Sequence, residues 1–170
     1  MYKRQPIRYV NFLQPQRVEV QANRGTSGID GSLSTAVGSS LADPERMHLA
    51  ILGDLSFFYD RNALWNNYLP ANLKIIVLNN HGGGIFRMIQ GPKARKELND
   101  FFVTTQKQSA KMTAIDHGLC YYKADSMDEL VENIATFFAE PSAALLEVTT
   151  DGIDNTTAFS QFKSRLKSAY

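Results

Sequence analysis

The chain has 170 residues, 44% of them hydrophobic and 21% charged, enough to bury a core within one domain, and no apolar run approaches the length that spans a bilayer. A net charge of +1 excludes the strongly basic surface that attracts nucleic acid. Cys120 is the single cysteine, which excludes an intramolecular disulfide framework or a cysteine metal cluster and fits a soluble protein of the reducing cytoplasm.

Met1-Tyr2-Lys3-Arg4-Gln5 matches the peptide that a common sequencing-library transposon adapter encodes when its first valine codon is read as a start. These five residues read as a non-native scar, which implies that residues 6–170 form a single domain taken from a longer chain. Pro6 to Leu13 suits a short helix carrying Arg8, and Arg17 to Ala22 alternates like a strand. Next comes Asn23-Arg24-Gly25-Thr26-Ser27-Gly28-Ile29-Asp30-Gly31, whose glycines permit a tight turn and close backbone approach. The small residues from Ser32 to Ala42 then suit a helix lying close against a sheet. The free N–H groups of this turn could meet an anion, although an ordinary strand-to-helix turn is the simpler explanation and Asp30 could be only an N-cap.

His48 to Leu52 predicts a strand that runs into Gly53-Asp54-Leu55-Ser56. Phe57 to Leu69 has helical spacing, with Phe58, Leu64, Trp65 and Leu69 as core contacts and Pro70 as the stop. Lys74 to Leu78 predicts a second strand, followed by Asn79-Asn80-His81-Gly82-Gly83-Gly84-Ile85-Phe86. From Gln90 to Thr105 the pattern is mixed; Lys93, Arg95 and Lys96 suit a solvated basic face better than a cationic lid over a carboxylate substrate. A helix is predicted over Ala110–His117, where His117 serves the helix C-terminus rather than catalysis, and a strand over Leu119–Lys123. Ser126 N-caps a further helix with Leu130, Ile134, Phe137 and Phe138 on its apolar face. Ala143 to Thr149 is a buried strand, and Asn155 to the end an amphipathic helix striped by Phe159, Phe162 and Leu166. Five strands alternating with helices predict an α/β fold, a doubly wound and mostly parallel sheet with helices on both faces.

In a parallel βαβ unit, Asp54 and Asn80 fall side by side on the sheet edge where open α/β folds bind ligands. One carboxylate with one neutral amide suits a hard cation already partly neutralised by a diphosphate, with the Gly82 carbonyl as a further oxygen and Ser56 as a donor to phosphate. Taken singly, Asp54 reads as a helix cap and Asn79-Asn80 as a turn; their joint placement at successive strand ends favours the cation.

Gly-Asp-x-Ser, a crossover and Asn-Asn-x-Gly together resemble the fingerprint of the pyrophosphate-binding domain of thiamine diphosphate-dependent enzymes. With Asn23 to Gly31, Tyr59-Asp60, Asn62-Ala63-Leu64 and Ile85-Phe86, the chain after its first five residues is similar to the 2-succinyl-5-enolpyruvyl-6-hydroxy-3-cyclohexene-1-carboxylate synthase family of menaquinone biosynthesis. That resemblance implies a transferase that decarboxylates 2-oxoglutarate and adds the succinyl unit to isochorismate, using thiamine diphosphate and magnesium or manganese. It implies Asp54, Asn80 and Gly82 as metal ligands and Ser27, Gly28, Ile29, Leu55 and Ser56 beside the cofactor, Ile29 being the support that bends it. Arg24 and Arg8 would pair with substrate carboxylates, and Ile85 and Phe86 would face the isochorismate ring. The crossover is slightly shorter than the family spacing, Leu55 stands where a glycine is usual, and Arg4 stands where a serine is expected. The activating glutamate belongs to a pyrimidine-binding domain that this sequence lacks and that a partner subunit of a homodimer or homotetramer supplies, so the chain alone is expected to be inactive. A split subunit of another thiamine-dependent 2-oxo acid decarboxylase and a non-catalytic Rossmann-like module are the alternatives; against the second, no Gly-x-Gly-x-x-Gly turn opens a helix.

Overall fold

The computed structural model describes residues 18–23 and 28–168, side chains 166–168 excepted. The expected helix over Pro6–Leu13, with Arg8, and the residues Arg17, Arg24 and Ser27 lie outside the described residues.

Four strands form one parallel sheet: β1 (His48–Gly53), β2 (Leu73–Asn79), β3 (Cys120–Ala124) and β4 (Ala144–Thr149), in the order β1-β2-β4-β3. The helices are α1 (Ser32–Ala42), α2 (Asp54–Asp60), α3 (Lys111–Asp116), α4 (Met127–Ala139) and α5 (Gly152–Ser168). Burial on both faces explains the strands' nearly continuous apolar character. On one face Leu33 and Val37 of α1, Phe57 of α2 and Ala114 of α3 pack over Ala50, Leu52, Ile75, Val77 and Leu145. On the other, Phe137 of α4, with Leu130, Ile134 and Phe138, covers Ala124, Ala144 and Leu146. The doubly wound α/β architecture is therefore present.

The fifth expected strand is not. Among the described residues, 18–22 pair with no strand, and β1 stands at the edge of the sheet. The helix expected over Phe57–Leu69 begins earlier, at Asp54, and ends in a 3₁₀ turn over Arg61–Leu64. Trp65 consequently points outward, 84% exposed, while Phe57 takes the core position. The N-cap of α1 is Gly31 at φ 70°, not Asp30; this left-handed backbone favours a residue without Cβ. The terminal helix starts at Gly152 rather than Asn155, its first turn tied by Asp151 Oδ1 accepting from the N–H groups of Ile153 and Asp154.

Ser126 caps α4 as expected, its hydroxyl accepting the Glu129 N–H at 3.2 Å while Glu129 Oε2 accepts the Asp125 N–H at 2.6 Å. Ser126→Ala is expected to cost about 1 kcal/mol, read as a lower urea midpoint with an unchanged slope.

Candidate functional site

The β1–β2 register pairs Gly53 with Leu78, so the residues that leave these strands at their C-terminal ends, Asp54 and Asn80, emerge as neighbours. Asp54 is the first residue of α2 and 2% exposed. It is not an N-cap, a position Gly53 holds, so its carboxylate is free to face the sheet edge. The side-chain oxygen of Asn80 lies 2.9 Å from the Gly82 carbonyl oxygen and 3.2 Å from Asp54 Oδ1. Three acceptors with no proton between them have two resolutions. The Asn80 amide can turn over so that its nitrogen donates to both neighbours, or a cation can sit among the oxygens. A carboxylate, an amide oxygen and a main-chain carbonyl are a fitting donor set for a hard divalent ion. Among the described residues no group of three or more His, Cys, Asp or Glu could hold a metal, so a cation here would draw its remaining oxygens from a ligand or water.

Burial pushes the Asp54 carboxyl above the usual carboxylate range, more strongly than the Gln106 amide and the backbone N–H groups of Leu55 and Gly82 pull it down. A buried carboxylate so poorly compensated gains from a cation beside it.

The glycine loop is shaped by close approach. Gly82 has φ 155°, and a Cβ there would lie 2.8 Å from the Val103 carbonyl oxygen. The Gly83 N–H donates to that same carbonyl at 2.6 Å, and the Gln106 N–H to His81 O at 3.1 Å. His81, at φ 58°, occupies the left-handed region without being glycine, a conformation that persists where the surroundings impose it. The strap that imposes it is the segment after the π-turn over Leu98–Val103. The stretch from Gln90 to Thr105 thus braces the loop, and Lys93, Arg95 and Lys96 on it are solvent-exposed.

Gln106 and Glu147, which the sequence reading missed, and Asn79, which it read only as part of a turn, complete the site's support. Gln106 Nε2 donates to Asp54 Oδ2 at 2.8 Å and to Asn79 Oδ1 at 3.0 Å. Asn79 is buried and turned away from Asn80, donating to Glu147 Oε1 at 2.7 Å and to Gln108 O at 2.9 Å. Glu147, 1% exposed on β4, also accepts from Ser109 Oγ and Tyr121 OH, each at 2.7 Å, and from the Ala110 N–H at 3.1 Å. Burial alone would push its carboxyl up; these donors outweigh burial and hold it below the usual range. A carboxylate inside the apolar run Ala144-Leu145-Leu146-Glu147-Val148 was a visible signal, whereas nothing in the spacing singled out Gln106.

Of the other candidates, Ser56 is buried, and its hydroxyl donates to the Ile29 carbonyl at 2.7 Å. That bond ties the turn before α1 to α2 and holds Ile29, 44% exposed, near Asp54's helix. Asn23 Nδ2 donates to Gly31 O at 3.1 Å. Gly28 is exposed and Leu55 half-buried. Ile85 and Phe86 lie half-buried on a 3₁₀ turn over Gly84–Arg87, and the Phe86 ring packs against Phe102 at 5.8 Å between centroids. No helix among the described residues is long and apolar enough to cross a membrane.

Comparison with known proteins identifies the family. Residues 2–148 match the family described as thiamine pyrophosphate enzyme, C-terminal TPP binding domain; thiamine pyrophosphate and thiamine diphosphate are one compound. The chain is 48% identical to the 2-succinyl-5-enolpyruvyl-6-hydroxy-3-cyclohexene-1-carboxylate synthase of Cytophaga hutchinsonii, over 96% of this chain and 30% of that protein. Proteins of the same name from Christiangramia forsetii and Flavobacterium johnsoniae are 43% and 41% identical, over 95% and 94% of this chain and 28% and 29% of theirs. The chain thus spans less than a third of the length of these relatives. With a match covering most of its length and a parallel sheet that presents Asp54 and Asn80 at one edge, the chain belongs to the thiamine pyrophosphate enzyme family, through the C-terminal TPP-binding domain.

Proposed function

We propose that this chain is the cofactor-binding portion of a synthase that decarboxylates 2-oxoglutarate and transfers the succinyl unit to isochorismate in menaquinone biosynthesis. The observation that carries the cation part of this reading is the convergence of oxygens from Asp54, Asn80 and Gly82. The substrate part rests on the names of the relatives. Thiamine diphosphate, when bound, supplies the carbanion chemistry that lets a 2-oxo acid lose carbon dioxide.

The chain's own residues bind and orient. Asp54, Asn80 and the Gly82 carbonyl hold magnesium, or manganese, against the diphosphate. Ser27, Gly28, Ile29, Leu55 and Ser56 lie beside the cofactor, and Ser56 also holds Ile29 in place through its carbonyl. Arg24 and Arg8 are the candidates for pairing with substrate carboxylates, since a guanidinium offers such groups two parallel hydrogen bonds. Ile85, on the turn after the glycine loop, offers an apolar surface for the isochorismate ring, and Phe86 shapes that surface from its packing against Phe102. The carboxylate that activates the aminopyrimidine comes from a pyrimidine-binding domain on a partner subunit, in a homodimer or homotetramer of the cytoplasm.

Mixing the chain with a separately expressed pyrimidine-binding half tests this. Carbon dioxide release from 2-oxoglutarate that depends on both halves and on isochorismate is expected. Release with other 2-oxo acids but not 2-oxoglutarate would overturn the substrate assignment.

A further inference from the structure

The two carboxylate oxygens of Asp54 have different surroundings. Oδ1 faces the Asn80 side chain at 3.2 Å, within the converging oxygens. Oδ2 accepts from Gln106 Nε2 at 2.8 Å. The Gln106 amide cannot readily let go. Its second Nε2 proton goes to Asn79 Oδ1 at 3.0 Å, its oxygen accepts from the Gln108 N–H, and its own backbone N–H is fixed on His81 O. Asn79 is held in turn by the buried Glu147 carboxylate at 2.7 Å. A chain of hydrogen bonds from β4 to the sheet edge therefore fixes which oxygen of Asp54 is available.

We infer that Gln106 is a specificity-determining positioning residue: by occupying Asp54 Oδ2 it restricts Asp54 to one-oxygen coordination and sets the site's preference for small octahedral cations over calcium. This inference rests on the assignment of Asp54, Asn80 and Gly82 as cation ligands. Magnesium requires near-ideal octahedral geometry with short bonds, which one oxygen per carboxylate satisfies. Calcium takes more ligands at longer distance and accepts bidentate carboxylates. Chelation by both Asp54 oxygens would turn the carboxylate and strain the Gln106 Nε2–Oδ2 bond, which Asn79 and Gln108 hold in place on the other sides of that amide. Specificity then comes from a fixed donor that penalises the larger ion rather than from a ligand that attracts the smaller one.

The test is manganese bound to the full chain, mixed with the pyrimidine-binding half and thiamine diphosphate, followed by electron paramagnetic resonance as magnesium or calcium displaces it. In the wild type, magnesium is expected to displace manganese at lower concentration than calcium. In Gln106→Met, which keeps the length of the side chain and removes its donor, the ratio is expected to move about tenfold toward calcium. Gln106→His retains an N–H donor and is expected to keep the wild-type order, which a merely structural role for the side chain would not produce. Should Gln106→Met fail to fold, the ratio on Gln106→Asn decides, because its amide is one methylene short of Asp54. Manganese binding in the wild type with an unaltered ratio in the donor-lacking variant overturns the role of Gln106 alone. Absence of manganese binding in the wild type overturns the cation assignment itself.

Discussion

Asp54→Ala is expected to lower cation-dependent thiamine diphosphate binding by about a hundredfold or more, a loss at the upper end of what even indirect supports of a metal site produce. The structure makes the effect specific. Asp54 is the only carboxylate among the three converging donors, so without it a divalent ion faces two neutral oxygens. The fold is expected to tolerate the change, because the carboxylate is buried with its ionised form disfavoured by desolvation. Its removal forfeits the favourable charge at the start of α2, about 0.3–1 kcal/mol, and one acceptor of the half-buried Gln106 amide, and relieves that desolvation in return. Asp54→Asn separates charge from shape, since an amide oxygen can still accept from Gln106 Nε2. Calorimetry with magnesium present and absent should show both variants losing the magnesium-dependent part of binding, with melting temperatures near the wild type's. Equal binding by Asp54→Asn would mean that the carboxylate's charge is not what holds the cation.

Glu147→Leu is expected to have the opposite profile, a loss of stability of about 3 kcal/mol or more, because several donors lose their acceptor in the interior at about 1–3 kcal/mol each. The side chain is fully buried. Its role is to accept from Asn79 Nδ2, Ser109 Oγ, Tyr121 OH and the Ala110 N–H, which join β2, β3, β4 and the start of α3. A leucine leaves these donors without an acceptor inside the core, and the amide of Asn79 cannot turn to satisfy itself without releasing Gln106. Urea denaturation measures the loss directly. The pH dependence has a definite sign. Glu147 is held below the usual carboxylate range in the folded chain, so it binds fewer protons there than in the unfolded chain. Its contribution is present in full above the unfolded value of about 4.3 and is lost as pH falls through the lower folded value. Glu147→Gln should therefore flatten the acid limb of the stability curve below about pH 4.3.

Much of this arrangement could be read before any coordinates. Successive apolar runs broken by Gly53-Asp54 and by Asn79-Asn80 announce parallel strands, and period alone puts Asp54 beside Asn80. The Ser126 cap and the Phe137 face of α4 also follow from local rules. What escaped is non-local. Trp65 has the right spacing for a core helix, but α2 begins three residues early and tightens into a 3₁₀ turn, which rotates that position into solvent. Arg17 to Ala22 has a strand's alternation, yet alternation needs a neighbouring strand to become a ladder. Ser56 is legible as a phosphate donor from its motif, but its bond to the Ile29 carbonyl, 27 positions earlier in the chain, is not. Gln106 lies 52 positions beyond Asp54 in a stretch without periodicity, so only the folded chain reveals the contact. Asn79 and Asn80 show the same limit in miniature. The pair is legible as a site, but which amide faces the cation position and which faces Glu147 is decided by the pleat of β2.

The cation assignment is tested most directly by crystallising the chain with a pyrimidine-binding half, thiamine diphosphate and manganese, and locating the metal by its anomalous scattering. A single peak at about 2.1 Å from Asp54 Oδ1, the Asn80 side-chain oxygen and the Gly82 carbonyl oxygen is expected. Bound thiamine diphosphate with manganese elsewhere, or with the Asn80 amide turned over to donate to Asp54 and Gly82, would contradict it.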